Sequence, residues 1–149
     1  MWKFKDSYIK SIEDVPQDAF GFIYKITHKT TGKFYVGKKQ LFTEHNIKLG
    51  KKELAEQALL KKPGRKPTKK LVRKESNWLK YWGSSEELLL DVQTYKEESF
   101  TREILMFTFG KKQSTYYEIK YQFLEGVLES DNCYNSNINS TFFKKDLID

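Results

Sequence analysis

From Phe20 to Gly37 apolar and aromatic positions dominate, broken by one polar tract, His28-Lys29-Thr30-Thr31-Gly32. Two β-rich runs, Phe20 to Thr27 and Lys33 to Gly37, flank that tract, so the pattern predicts a β-hairpin. Each arm carries a tyrosine, Tyr24 and Tyr35, and paired strands bring such residues together on one face. A third strand is predicted over Phe100 to Phe109, ending at Gly110. The pattern also allows a short strand at Tyr8 to Ile12, in an arm that packs on the sheet edge.

Helical periodicity appears elsewhere. Residues 51 to 62 place Leu54, Ala55, Ala58 and Leu59 on one stripe, and Pro63-Gly64 stops it. Trp78, Tyr81 and Trp82 follow helical spacing; buried core is favoured over a DNA-facing stacking platform. Ser84 or Ser85 caps the next helix, which Leu88, Leu89, Val92 and Tyr95 carry to about Lys96. The last helix runs from Ser114 or Thr115 to about Leu128. There Glu118, Gln122, Glu125 and Glu129 form a polar stripe, with Tyr116, Ile119, Phe123 and Val127 near the opposite side. An asparagine- and serine-rich loop follows from Asp131 to Ser140, then a final helical turn over 142–147.

Composition narrows the classes. The 149 residues suit a single domain over 1–149, and 15% aromatic content excludes a disordered tail. Net charge is +7, which favours a polyanionic partner. From Lys48 to Lys74 there are eleven lysines and arginines against Glu53 and Glu56. The positive charge is therefore concentrated rather than spread. Within it, Gly64-Arg65-Lys66-Pro67 resembles the core of minor-groove AT-hooks with a lysine inserted. The single cysteine, Cys133, excludes an internal disulfide and a multi-cysteine zinc site. A reducing, cytoplasmic setting is expected. The first residues lack a secretory signal, and no run approaches the ~20 apolar residues of a membrane span.

The hairpin's spelling is specific. Phe22-Ile23-Tyr24 and Tyr35-Val36-Gly37, with ten residues between the tyrosines, resemble the two-part signature of the GIY-YIG nuclease family. The first glycine stands one place early, as Gly21, and Phe22 fills its slot. The resemblance covers 20–138, after an N-terminal arm of 1–19, with a basic helix/loop insertion at 43–74. It implies an α/β (α+β) fold with a small three-stranded antiparallel sheet and flanking helices. Small phage-type members, of the Seg-like homing kind, are the most similar in length and order.

The resemblance also implies chemistry. Tyr24 and Tyr35 match the signature tyrosines, Tyr24 as general base and Tyr35 orienting the water or assisting proton transfer. Glu118 matches the single metal-binding carboxylate, and Asn135 the asparagine of the terminal loop. The cofactor implied by the resemblance is magnesium or another divalent cation such as manganese, and the implied substrate is DNA, cut by hydrolysis in the host cytoplasm if the gene is phage-borne. Lys38 and Lys39 supply positive charge beside the tyrosines. With Arg65, Lys66, Lys69 and Lys70 they are candidate contacts to nucleic acid. The family arginine is missing at its usual spacing, where His45 stands. His45 fills the role, or an insertion shifts it to Arg73, or it is lost; Arg73 is preferred. The rival expectation is a non-catalytic nucleic-acid-binding or interference protein on a decayed version of the fold. Duplex cleavage would need a transient dimer or two successive nicks by a monomer.

Overall fold

The computed structural model describes residues 1–60, 64 and 68–147. They form two compact units, residues 42–76 and the rest. The larger unit is α+β. Its strands are β1 (Trp2–Phe4), β2 (Ser7–Ile9), β3 (Gly21–His28), β4 (Phe34–Gln40) and β7 (Phe100–Thr108). Helices α2 (Glu86–Tyr95) and α3 (Lys111–Leu124) and a short pair, β8 (Asn137–Ile138) with β9 (Phe142–Phe143), complete it. The smaller unit holds β5 (Phe42–Lys48), α1 (Lys51–Leu59) and β6 (Lys69–Glu75).

The expected hairpin is β3–β4, antiparallel, with Tyr24 opposite Gly37 and Ile26 opposite Tyr35. His28 shapes its turn, because its Nδ1 accepts hydrogen bonds from the backbone of Thr30 and Thr31. On the other side β3 pairs antiparallel with β7 across an irregularity between Ile23 and Tyr24. These three strands are the expected sheet, but the sheet has five strands in the order β2-β1-β7-β3-β4. The N-terminal arm supplies the other two, with β1 parallel to β7.

The arm also enters the core. Trp2 is fully buried against the rings of Phe22 and Tyr24, and its indole N–H donates to the carbonyl of Trp78 at 2.7 Å. Trp2→Ala is therefore expected to cost about 3–5 kcal/mol, measured by denaturant unfolding. The opposite face of the sheet packs Ile23 and Val36 on Val127, Leu128, Cys133 and Ile138.

Two expectations need correction. Trp78 opens only a short 3₁₀ turn, Trp78–Lys80, not a helix. Its carbonyls are taken by distant side chains: Trp2 binds that of Trp78, and the Arg102 guanidinium those of Leu79 and Tyr81. An α-helix would need them internally. The polar stripe of α3 turns inward rather than to solvent. Gln122 is buried, its amide donating to the carbonyl of Val36 at 3.0 Å, and Glu125 pairs with Lys25 at 3.0 Å. Tyr116, Phe123 and Leu124 are the exposed side. Of the described residues, no helix is long and apolar enough to cross a membrane.

Candidate active site

Three alternate residues of β4, Tyr35, Gly37 and Lys39, point to the face of the sheet that carries Tyr24, since side chains alternate along a strand. The register places the Tyr24 ring over Gly37, where no side chain competes for space. A Cβ on Gly37 would lie 2.6 Å from the Tyr24 hydroxyl and 3.0 Å from the Tyr35 ring. The glycine of the second triplet is thus the notch that lets the tyrosines meet. Their ring centres lie 6.1 Å apart.

A turn after Trp78 closes the pair from above. Tyr81 hydrogen-bonds the Tyr24 hydroxyl and meets its ring edge-on at 6.0 Å. Gly83, at φ +88°, lies against Tyr35 and the Tyr24 hydroxyl, a conformation that favours glycine. Ser84 then places its hydroxyl 2.9 Å from that of Tyr35. The sequence pattern marks Tyr81 as a core or stacking aromatic and Ser84 as a helix cap, not as site residues, although the Gly-Ser-Ser turn beside an aromatic cluster is the signal that could place them here.

The two tyrosines differ in access. Tyr24 is 1% exposed. Burial pushes its phenol well above the usual tyrosine range, and Tyr35 and Tyr81 add to this. Tyr35 is raised as well by burial, with the Ser84 hydrogen bond pulling the other way, and its side chain lines an open cleft of about 660 Å³. Glu118, Gln122, Ser84 and Asn135 line the same cleft.

Glu118 reaches the cleft from α3, which packs against β4. Burial raises its carboxyl, while the Lys38 charge and the Lys38 backbone N–H, which donates to it, pull it down. The Lys38 ammonium is held by Thr115 at 2.8 Å. Asn135 is buried and serves as a substitute strand neighbour. Its side-chain oxygen accepts from the Val36 N–H at 3.0 Å and its amide donates to the Val36 carbonyl at 2.9 Å. It thereby pins the free edge of β4 between Tyr35 and Gly37.

The donors suit a hard divalent cation. Beside the Glu118 carboxylate, the side-chain oxygen of Gln122 is buried without a partner, one helical turn further along α3. Oxygen donors, few in number, match magnesium better than a soft metal. Among the described residues no cluster of three histidine, cysteine or acidic side chains forms a fuller metal cage.

The positive groups divide between the units. Lys39 belongs to the tyrosine face, its ammonium 4.1 Å from the centre of the Tyr81 ring, and partial burial lowers it. His45 and Arg73 belong to the smaller unit. There His45 sits opposite Val72 and bonds Thr43 at 3.2 Å, and Arg73 stacks on Phe42 at 3.6 Å. Lys69 is exposed, and Lys70 pairs with Glu53. Arg65 and Lys66 lie outside the described residues. The larger unit has a single arginine, Arg102; it is buried between Trp2 and Trp82.

A family model described as "Putative endonuclease segE, GIY-YIG domain" matches residues 2–138. No curated protein and no solved structure matches significantly.

Proposed function

The chain belongs to the SegE-type GIY-YIG family, and on that premise we propose that it is a divalent-metal-dependent DNA endonuclease, of the phage homing type and acting in the cytoplasm. The observation that carries this reading is the convergence of Tyr35, Glu118, Gln122 and Asn135 on one cleft. Glu118 and Gln122 would hold magnesium or manganese, which supplies positive charge to the scissile phosphate and the departing 3′ oxygen when bound.

The protein's own groups do the rest. The Tyr35 hydroxyl, steadied by Ser84, accepts a hydrogen bond from the attacking water and aims its oxygen at phosphorus; as that bond forms the P–O3′ bond breaks, the water's proton passes to solvent in the open cleft, and the departing 3′ oxygen takes a proton from solvent. A phenolate at pH 7 costs about 4 kcal/mol even at an ordinary tyrosine pKa, and burial raises that cost for Tyr24. We therefore give Tyr24 a positioning role, as a neutral phenol that fixes Tyr81 and floors the site. Lys39, on the same strand face as Tyr35, stands in for the arginine as the cation opposite the phosphate. Lys39→Ala is expected to lower kcat about 100-fold while Lys39→Arg keeps most of it, read from single-turnover cleavage. Equal rates for Lys39→Ala and wild type would return the role to Arg73 or His45.

The raised Glu118 carboxyl gives a pH signature. Because the folded chain holds this proton more tightly than the unfolded chain, Glu118 costs stability increasingly as pH rises from its ordinary value, 4.5, through the folded value. Metal binding needs the charged form and offsets that cost. Magnesium is expected to raise Tm little below pH 4.5 and increasingly above it, with the gain absent in Glu118→Gln. Thermal unfolding with and without magnesium chloride checks this.

One observation favours the rival reading of a binding or interference protein without catalysis. The sole arginine of the larger unit is committed to the carbonyls of Leu79 and Tyr81. That reading expects DNA binding with no cleavage in any divalent metal.

A further inference from the structure

The chain's net charge is carried by one unit. Residues 42–76 hold eleven lysines and arginines against four glutamates, a net +7, equal to that of the whole chain. The remainder therefore balances at zero, tyrosine site included. The charged unit is not built around a core: the strands β5 and β6 and the helix α1 contain no fully buried residue. A two-stranded ribbon with no fully buried residue is marginal by itself in water, and a surface that covers it would stabilise it.

The ribbon keeps seven pairs in register, from Phe42 opposite Glu75 to Lys48 opposite Lys69. Strand alternation gives it two faces. One carries Thr43, His45, Lys70 and Val72, and α1 is tied to it through the Glu53–Lys70 ion pair. The other carries Glu44, Asn46, Lys48, Lys69, Leu71, Arg73 and Glu75, all exposed, with the half-buried Phe42. Arg73 lies flat on the Phe42 ring, which holds its guanidinium in place and leaves its edge for a planar partner. Seven residues at about 3.4 Å each make a ribbon roughly 24 Å long, its strands about 5 Å apart. The major groove, about 12 Å wide, admits such a ribbon in undistorted duplex; the minor groove, about 6 Å wide, must first be widened.

We infer that the β5–β6 ribbon is the sequence-reading element, lying in the major groove of duplex DNA with Asn46 and Arg73 toward base edges and Lys48 and Lys69 on flanking phosphates. Asparagine matches the donor and acceptor of adenine, and arginine the two acceptors of guanine. The lysines add the salt-dependent affinity that positions them. This rests on the reading of DNA as the substrate.

The test is binding of the full chain to a cleavable duplex, with calcium replacing magnesium, followed by fluorescence anisotropy. Three probes are used: methyl green in the major groove, netropsin in the minor groove, and a duplex of 7-deazapurines, which lack the N7 acceptors. The expected result is competition by methyl green, indifference to netropsin, and weakening of roughly 5- to 150-fold for each lost base contact. Asn46→Ala and Arg73→Ala should weaken binding to the ordinary duplex by similar factors and to the 7-deazapurine duplex much less. Displacement by netropsin alone would overturn the inference in favour of the Gly64–Pro67 segment. Indifference to 7-deazapurines would overturn it in favour of phosphate contacts only. Magnesium-dependent cleavage without major-groove binding would sink the inference and leave the nuclease reading intact. Major-groove binding without cleavage in any metal would do the reverse.

Discussion

Gly37→Ala is expected to cut cleavage about 100-fold and to destabilise the fold by about 1–3 kcal/mol. The cause is steric. The added methyl would stand 2.6 Å from the Tyr24 hydroxyl and 2.8 Å from the carbon bearing it, inside any tolerable contact. Tyr24 is enclosed by Trp2, Tyr35 and Tyr81, so its ring has little room to retreat. Overpacking of this kind costs about 1–3 kcal/mol. A displacement near 1 Å in the groups that aim the nucleophile costs about 100-fold in rate. Because Tyr35 flanks the same notch, both tyrosines move. Cleavage kinetics with denaturant unfolding on the same preparation checks both halves. A variant that loses stability but keeps its rate would show that the notch serves packing alone.

Local features of the site were legible in the sequence. The hairpin, its turn and the ten-residue spacing lie within one continuous stretch, so patterning and register suffice to bring Tyr24 and Tyr35 to one face. Periodicity places Glu118 on a polar stripe of the helix after the third strand, but does not give the direction in which that stripe faces. The stripe turns inward because the edge of β4 offers polar partners, the Val36 carbonyl to Gln122 and the Lys38 N–H to Glu118. Helical periodicity cannot reveal a polar surface awaiting it. The arm strands are three residues long, and β1 finds its partner about a hundred positions away, in β7. The insertion shows the same limit. Its helix was legible, while the pairing of residues 42–48 with 69–75 joins two polar stretches that lack strand alternation. The aromatic cluster at Trp78 followed helical spacing, yet its carbonyls are claimed by Trp2 and Arg102, residues far away in sequence.

Glu118→Gln carries the other large effect. The substitution keeps the shape and the Lys38 N–H contact within reach of an oxygen, so the fold should survive. It removes the charge that a divalent cation needs, and with it the positive field on the phosphate. The loss expected is on the order of a thousandfold or more, since both phosphate activation and leaving-group stabilisation depend on the bound ion. Gln122 alone, a neutral donor, does not replace a carboxylate for a hard cation.

The decisive measurement is plasmid nicking in magnesium by wild type and Glu118→Gln, with EDTA as the blank and thermal unfolding as the check on folding. Wild type is expected to nick the plasmid, EDTA to abolish the nicking, and a folded Glu118→Gln to fail to reproduce it. Undiminished nicking by Glu118→Gln, or cutting that persists in EDTA, would contradict metal-dependent cleavage at this site.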